Sequence, residues 1–132
     1  MIQCVVVSKI PRPRLMLVDD NAEFLEVMQL LLEPGCEVVA VVTDERRALE
    51  AATRLQPDLV LLDISMPHLS GVEVCRQIRS ALPETRVIMV TAYGDEETKD
   101  MVSSAGALRV VSKYRVNDIL EAVHISTATR PS

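Results

Sequence analysis

The chain has 132 residues, 48% hydrophobic and 25% charged, which is enough for one cored domain and excludes disorder and collagen-like order. Its longest apolar runs, about four to six residues, fall far short of the roughly 20 that span a bilayer, so no membrane contact is expected. The net charge of −5 makes a poor surface for nucleic acid, and any DNA contact should belong to another domain.

Residues 1–13 stand apart from the rest, because a possible strand at Ile2 to Val7 is cut off by Pro11, Arg12, Pro13 and Arg14. The short apolar start has no clean small-residue cleavage site after it and does not read as a secretion signal. Cys4, Cys36 and Cys75 are odd in number, show no C-x-x-C spacing and have only two histidines to help them bind zinc. They read as buried free thiols in a reducing cytoplasm.

From residue 14 onward, apolar runs alternate with segments of helical period. LMLV at 15–18 is followed by Asp20 and Asn21, which open a helix that Pro34 and Gly35 end. CEVVAVV at 36–42 precedes a second helix that must stop before Pro57. LVLL at 59–62 precedes a third, opened by the capping-box pair Ser70 and Glu73 and stopped before Pro83. VIMV at 87–90 and LRVV at 108–111 complete five runs. In the last helix Val116, Ile119, Leu120 and Val123 form one apolar stripe. Nearly continuous apolar strands fit a parallel sheet covered on both faces, so a doubly wound α/β domain of five βα units is predicted over 14–126, with a tail at 127–132.

Ligands of such sheets bind beyond the carboxyl ends of the strands. There the sequence places Asp19 and Asp20 after the first run, Asp63 after the third, Thr91 after the fourth and Lys113 after the fifth. Singly, each has an ordinary reading as a helix cap or a solvated charge. Jointly they require four strands to end in chemically matched groups at one edge. Clustered carboxylates repel unless they share a cation, and Mg²⁺, which takes oxygen ligands and keeps several waters, resolves this. With that charge and the Lys113 ammonium neutralising a phosphoryl group, a carboxylate on a rigid strand end becomes a competent nucleophile, and the Thr91 hydroxyl can bond to the product.

The segments LMLVDDN, LVLLDISMPHLSG, VIMVTAY and GALRVVSK resemble the receiver domain of bacterial two-component response regulators, over about residues 14–126. The wording ALPETRVIMVTAYGDE and a lysine not followed by proline are most similar to receivers that precede a LuxR-type helix-turn-helix. The resemblance implies a flavodoxin-like (βα)5 fold with strand order 2-1-3-4-5. It implies that Asp63 takes phosphate from a sensor histidine kinase and that Asp19, Asp20, Asp63 and the Ser65 carbonyl hold Mg²⁺. Thr91 would be the switch hydroxyl and Lys113 the contact to the phosphoryl group. Met66, Pro67 and Gly71 match the loop after the acceptor, and Ser65 and Tyr93 would flank the hydrolytic water. The activity implied is self-phosphorylation and slow autodephosphorylation without a separate substrate, serving transcription regulation through partner association or a homodimer. Departures fall at Arg109 and Val110, where the family usually has glycine and an aromatic residue, and at Tyr114, often proline. These leave open a phosphorylation-independent interaction module. A phosphohydrolase of the haloacid-dehalogenase pattern would want a second Asp where Ser65 stands, and a cobalamin loop would want His68 closer to Asp63.

Overall fold

The computed structural model describes residues 12–66, 69–92 and 96–128, the side chains at 96–98 and 128 apart. In chain order the elements are β1 (Arg14–Val18), α1 (Ala22–Leu32), β2 (Glu37–Val42), a 3₁₀ turn (Glu45–Arg47), α2 (Ala48–Leu55), β3 (Leu59–Asp63), α3 (Gly71–Ala81), β4 (Arg86–Thr91), α4 (Glu96–Ser104), β5 (Arg109–Ser112) and α5 (Val116–Ala128). All strand pairs are parallel, in the order β2-β1-β3-β4-β5. The predicted doubly wound fold is the observed one. The possible strand at Ile2 to Val7 lies outside the described residues.

Alternation along the central strands explains their unbroken apolar sequence. Met16, Val18, Val60, Leu62, Val87 and Met89 point to one face and pack under α2, α3 and α4. Leu15, Leu17, Leu59, Leu61, Ile88 and Val90 point to the other and pack under α1 and α5. The edge strands β2 and β5 are only partly covered. The α5 stripe forms as expected around Ile119 and Val123, widened by Ala122.

Helix boundaries follow local chemistry. Asn21 caps α1, its side chain accepting the Phe24 N–H at 3.1 Å. α2 ends at Gln56, whose φ of 53° lies in the left-handed region, just before Pro57. The expected capping box of α3 does not close, and Ser70 serves as a simple N-cap. Ser70 Oγ accepts the Val72 N–H, whereas the Glu73 carboxylate turns to Arg76 at 3.4 Å rather than back to the cap.

The amino ends of the strands are closed by charged groups bound to backbone. Asp58 accepts the Arg14 N–H at 2.8 Å, and Arg79 donates to the carbonyls of Pro83 and Thr85. A cleft lined by Asp58, Arg79, Arg86 and Ser126 opens at this end, away from the strand-end carboxylates.

Candidate functional site

β1 delivers Asp19 and Asp20 immediately after its last residue, Val18, and β3 ends on Asp63 itself. The register β1–β3–β4–β5 sets Asp63 opposite Val90 and Thr91 opposite Ser112, so all the predicted groups reach one edge. Asp19, Asp63 and Thr91 are buried and Asp20 is exposed. Oxygens from Asp19, Asp20 and Asp63 lie within 4.8 Å of one another.

Lys113 follows the end of β5, its N–H donating to the Thr91 carbonyl at 2.8 Å, so backbone bonding ties the lysine to the threonine. Its ammonium reaches across the edge to Asp19, donating to Oδ1 at 3.1 Å and standing 2.8 Å from Oδ2 as an ion pair without a directed hydrogen bond. It is 3.5 Å from Asp63 Oδ2. The second Asp63 oxygen accepts the Ser65 N–H at 3.1 Å, and Asp19 Oδ1 accepts the Asn21 N–H at 2.8 Å.

Burial, reinforced by the negative charge of Asp19, pushes the Asp63 carboxyl up to about 6, with Lys113 and the Ser65 N–H pulling the other way. Burial also raises Asp19. Lys113 is held above its ordinary value because its hydrogen bond to Asp19 and the two carboxylates outweigh desolvation. Three carboxylates against one ammonium leave a deficit of two positive charges. An all-oxygen, partly open donor set with that deficit suits a hard divalent cation such as Mg²⁺.

The loop after Asp63 is fixed from two sides. Gly71 donates to the Ile64 carbonyl at 2.9 Å, and any side chain there would collide with the Asp63 carbonyl and with Ile64 Cα. From the β2–α2 connection, the buried Glu45 accepts the Leu69 N–H at 2.9 Å through Oε1. Sequence reasoning matched Gly71 to a family loop, but it missed Glu45, which looks like one of several charges in a helical first turn. It also missed Phe24, which reads as an ordinary core residue. Pro67, His68, Tyr93 and Asp95 lie outside the described residues.

The family model of the response regulator receiver domain matches residues 15–124. This chain belongs to that family. It is 32% identical over 115 residues to the transcriptional regulatory protein DegU of Brevibacillus brevis, covering 85% of this chain and 49% of DegU. It is 38% identical over 114 residues to protein-glutamate methylesterase/protein-glutamine glutaminase 5 of Geobacter metallireducens, covering 83% of this chain and 31% of that protein. A LuxR-family two-component response regulator from Aurantimonas superimposes with a TM-score of 0.84 at 30% identity, over 90% of this chain and 87% of that one. The chain thus spans about half or less of the length of the curated relatives just named. As a receiver it is a module of two-component signalling, and the family takes phosphate from sensor kinases at an acidic pocket that binds Mg²⁺. No helix among the described residues is long and apolar enough to cross a membrane.

Proposed function

We propose that Asp63 is the phosphoacceptor of this receiver, which extends over about 14–126 and takes its phosphoryl group from a sensor histidine kinase. The observation that carries the reading is the single strand edge where Asp63 meets both the Asp19–Asp20 pair and the Lys113 ammonium. Asp19, Asp20, Asp63 and the Ser65 carbonyl would hold Mg²⁺, which when bound supplies positive charge to phosphoryl oxygens. One Asp63 oxygen attacks phosphorus, the bond to the donor breaks, and an acyl phosphate remains. Lys113 offsets charge on the transferred group, and the Thr91 hydroxyl bonds to it. Water later attacks the same phosphorus and regenerates the carboxylate. This is slow self-hydrolysis with no separate substrate.

The intact acidic site with its lysine favours this over a module that signals without phosphate. The output is altered association through the face of α4, β5 and α5, with a partner or a second copy. A DNA-binding output and a cytoplasmic location fit the likeness to LuxR-family regulators. Intact mass spectrometry after acetyl phosphate and Mg²⁺ tests the acceptor. One adduct is expected on the wild type and none on Asp63→Asn, and an adduct persisting in the variant assigns the chemistry elsewhere.

A further inference from the structure

Lys113 has a third neighbour besides the two carboxylates. Its ammonium sits over the ring of Phe24, 4.9 Å from the centroid, and the lysine side chain is only 17% exposed. A ring face carries negative quadrupole charge, so a cation at this distance is attracted, and more strongly where water is largely excluded. The ring is not placed by chance packing alone. Asp19 Oδ1 accepts the Asn21 N–H, Asn21 Oδ1 accepts the Phe24 N–H, and Phe24 then packs against the core under α1 and α5. The carboxylate that pairs with Lys113 thus also fixes the helix start that presents the ring to it.

We infer that Phe24 is a positioning residue for phosphoryl binding: its ring face and the Asp19 carboxylate hold the Lys113 ammonium between them, ready for the group on Asp63. The inference rests on the assignment of Asp63 as acceptor. Without the ring, the four-carbon lysine stem has more rotamers open to it, and part of the ammonium's charge is turned away from the phosphoryl position. Phe24 touches no reacting atom and acts through Lys113.

The test reads binding of beryllofluoride, a stand-in for the phosphoryl group, in the presence of saturating Mg²⁺. Phe24→Leu keeps an apolar side chain of similar reach and removes the quadrupole. It should weaken beryllofluoride binding and slow phosphorylation by acetyl phosphate, each by roughly three- to tenfold. Mg²⁺ affinity in the absence of beryllofluoride should change less than twofold. Phe24→Trp, whose face attracts cations better, should recover most of the loss. Progressive ring fluorination at position 24 holds size nearly constant while draining the ring face, and it separates charge from packing if Phe24→Leu is poorly folded. Affinity should then fall stepwise with fluorine content. Equal affinities across the fluorinated series, or a Phe24→Leu protein indistinguishable from wild type, overturns the inference. Intact mass of the wild type distinguishes the two levels: no phosphoryl adduct at all defeats the Asp63 assignment, whereas an adduct with no dependence on position 24 defeats only the role of Phe24.

Discussion

Lys113 stands closer to Asp19 than to the proposed acceptor, 2.8 Å against 3.5 Å, so its charge is largely committed to a neighbour while Asp63 is under-compensated. Burial, reinforced by the Asp19 charge, makes the Asp63 carboxyl bind a proton more tightly in the folded chain, at about 6, than in the unfolded chain, near 3.9. Folding takes up a proton between these values, so metal-free stability should fall as pH rises through 6 and level off above it. Between pH 5 and 7.5 this group should cost the wild type about 1 kcal/mol relative to Asp63→Asn. Urea unfolding in chelator at the two pH values measures it. Parallel pH dependence in wild type and variant would show that Asp63 is not strained.

Mg²⁺ should reverse that deficit. By mass action a cation at one hundred times its dissociation constant adds about 2.7 kcal/mol and raises the melting temperature of the wild type. The gain should disappear in Asp20→Ala and Asp63→Asn. Because protons compete for Asp63, the apparent Mg²⁺ affinity should also weaken from pH 7.5 to 5.5. Calorimetric titration reads both, and equal stabilisation of Asp20→Ala contradicts the ligand assignment.

Gly71 opens α3 against the backbone of the acceptor strand. Gly71→Ala pushes a methyl group toward the Asp63 carbonyl and Ile64, neither of which is a flexible side-chain end. A destabilisation of about 2 kcal/mol or more is expected, in line with overpacking of a dense core. Gly35→Ala, where a new methyl meets nothing within 4 Å, should stay within about 0.5 kcal/mol. Denaturant midpoints of the pair decide it, and similar losses at both positions would falsify the close-approach argument.

Glu45 holds the far end of the same loop. Removing its carboxylate in Glu45→Ala leaves the Leu69 N–H without that acceptor and should cost about 1–3 kcal/mol. Glu45→Gln retains an oxygen acceptor and should recover most of this. If the loop carries the Ser65 carbonyl to the cation, Mg²⁺ affinity should fall in Glu45→Ala and return in Glu45→Gln. Unchanged affinity in the alanine variant separates Glu45 from the site.

The sheet was legible in the sequence because strands buried on both faces must be apolar at every position, as Leu15 to Val18 and Leu59 to Leu62 are. The strand-end groups were legible because a parallel sheet delivers every carboxyl end to one edge, so Asp19, Asp63, Thr91 and Lys113 needed only their order. What orients those groups was not legible. Glu45 meets Leu69 across 24 residues, and Phe24 meets Lys113 across the sheet. A one-dimensional pattern carries periodicity, not the pairing of side chains from different elements. Glu73 shows the same limit locally: the capping-box spacing is present, but Arg76 offers the carboxylate a charged partner on its own helix.

The last expectation concerns how phosphorylation would reach the α4–β5–α5 face. Val110 is partly buried and packs against the core under α2, α3 and α4, next to Met89 in register. The resemblance to receivers implies an aromatic ring there. Valine has one stiff torsion and little area, so inward and outward states at this position can differ by only a small burial term. A switch shifts its equilibrium only by the free energy that distinguishes its states. Tyr114, four residues on, is 79% exposed and offers its ring to solvent rather than to the core. Phosphorylation of Asp63 should therefore proceed while its coupling to association is weak or is carried by Tyr114 or Tyr93. Analytical ultracentrifugation at matched concentration should show a smaller response to beryllofluoride in wild type than in Val110→Tyr. An equal or larger wild-type response that persists in Tyr114→Ala and Tyr93→Ala would mean that the face is coupled by some other route.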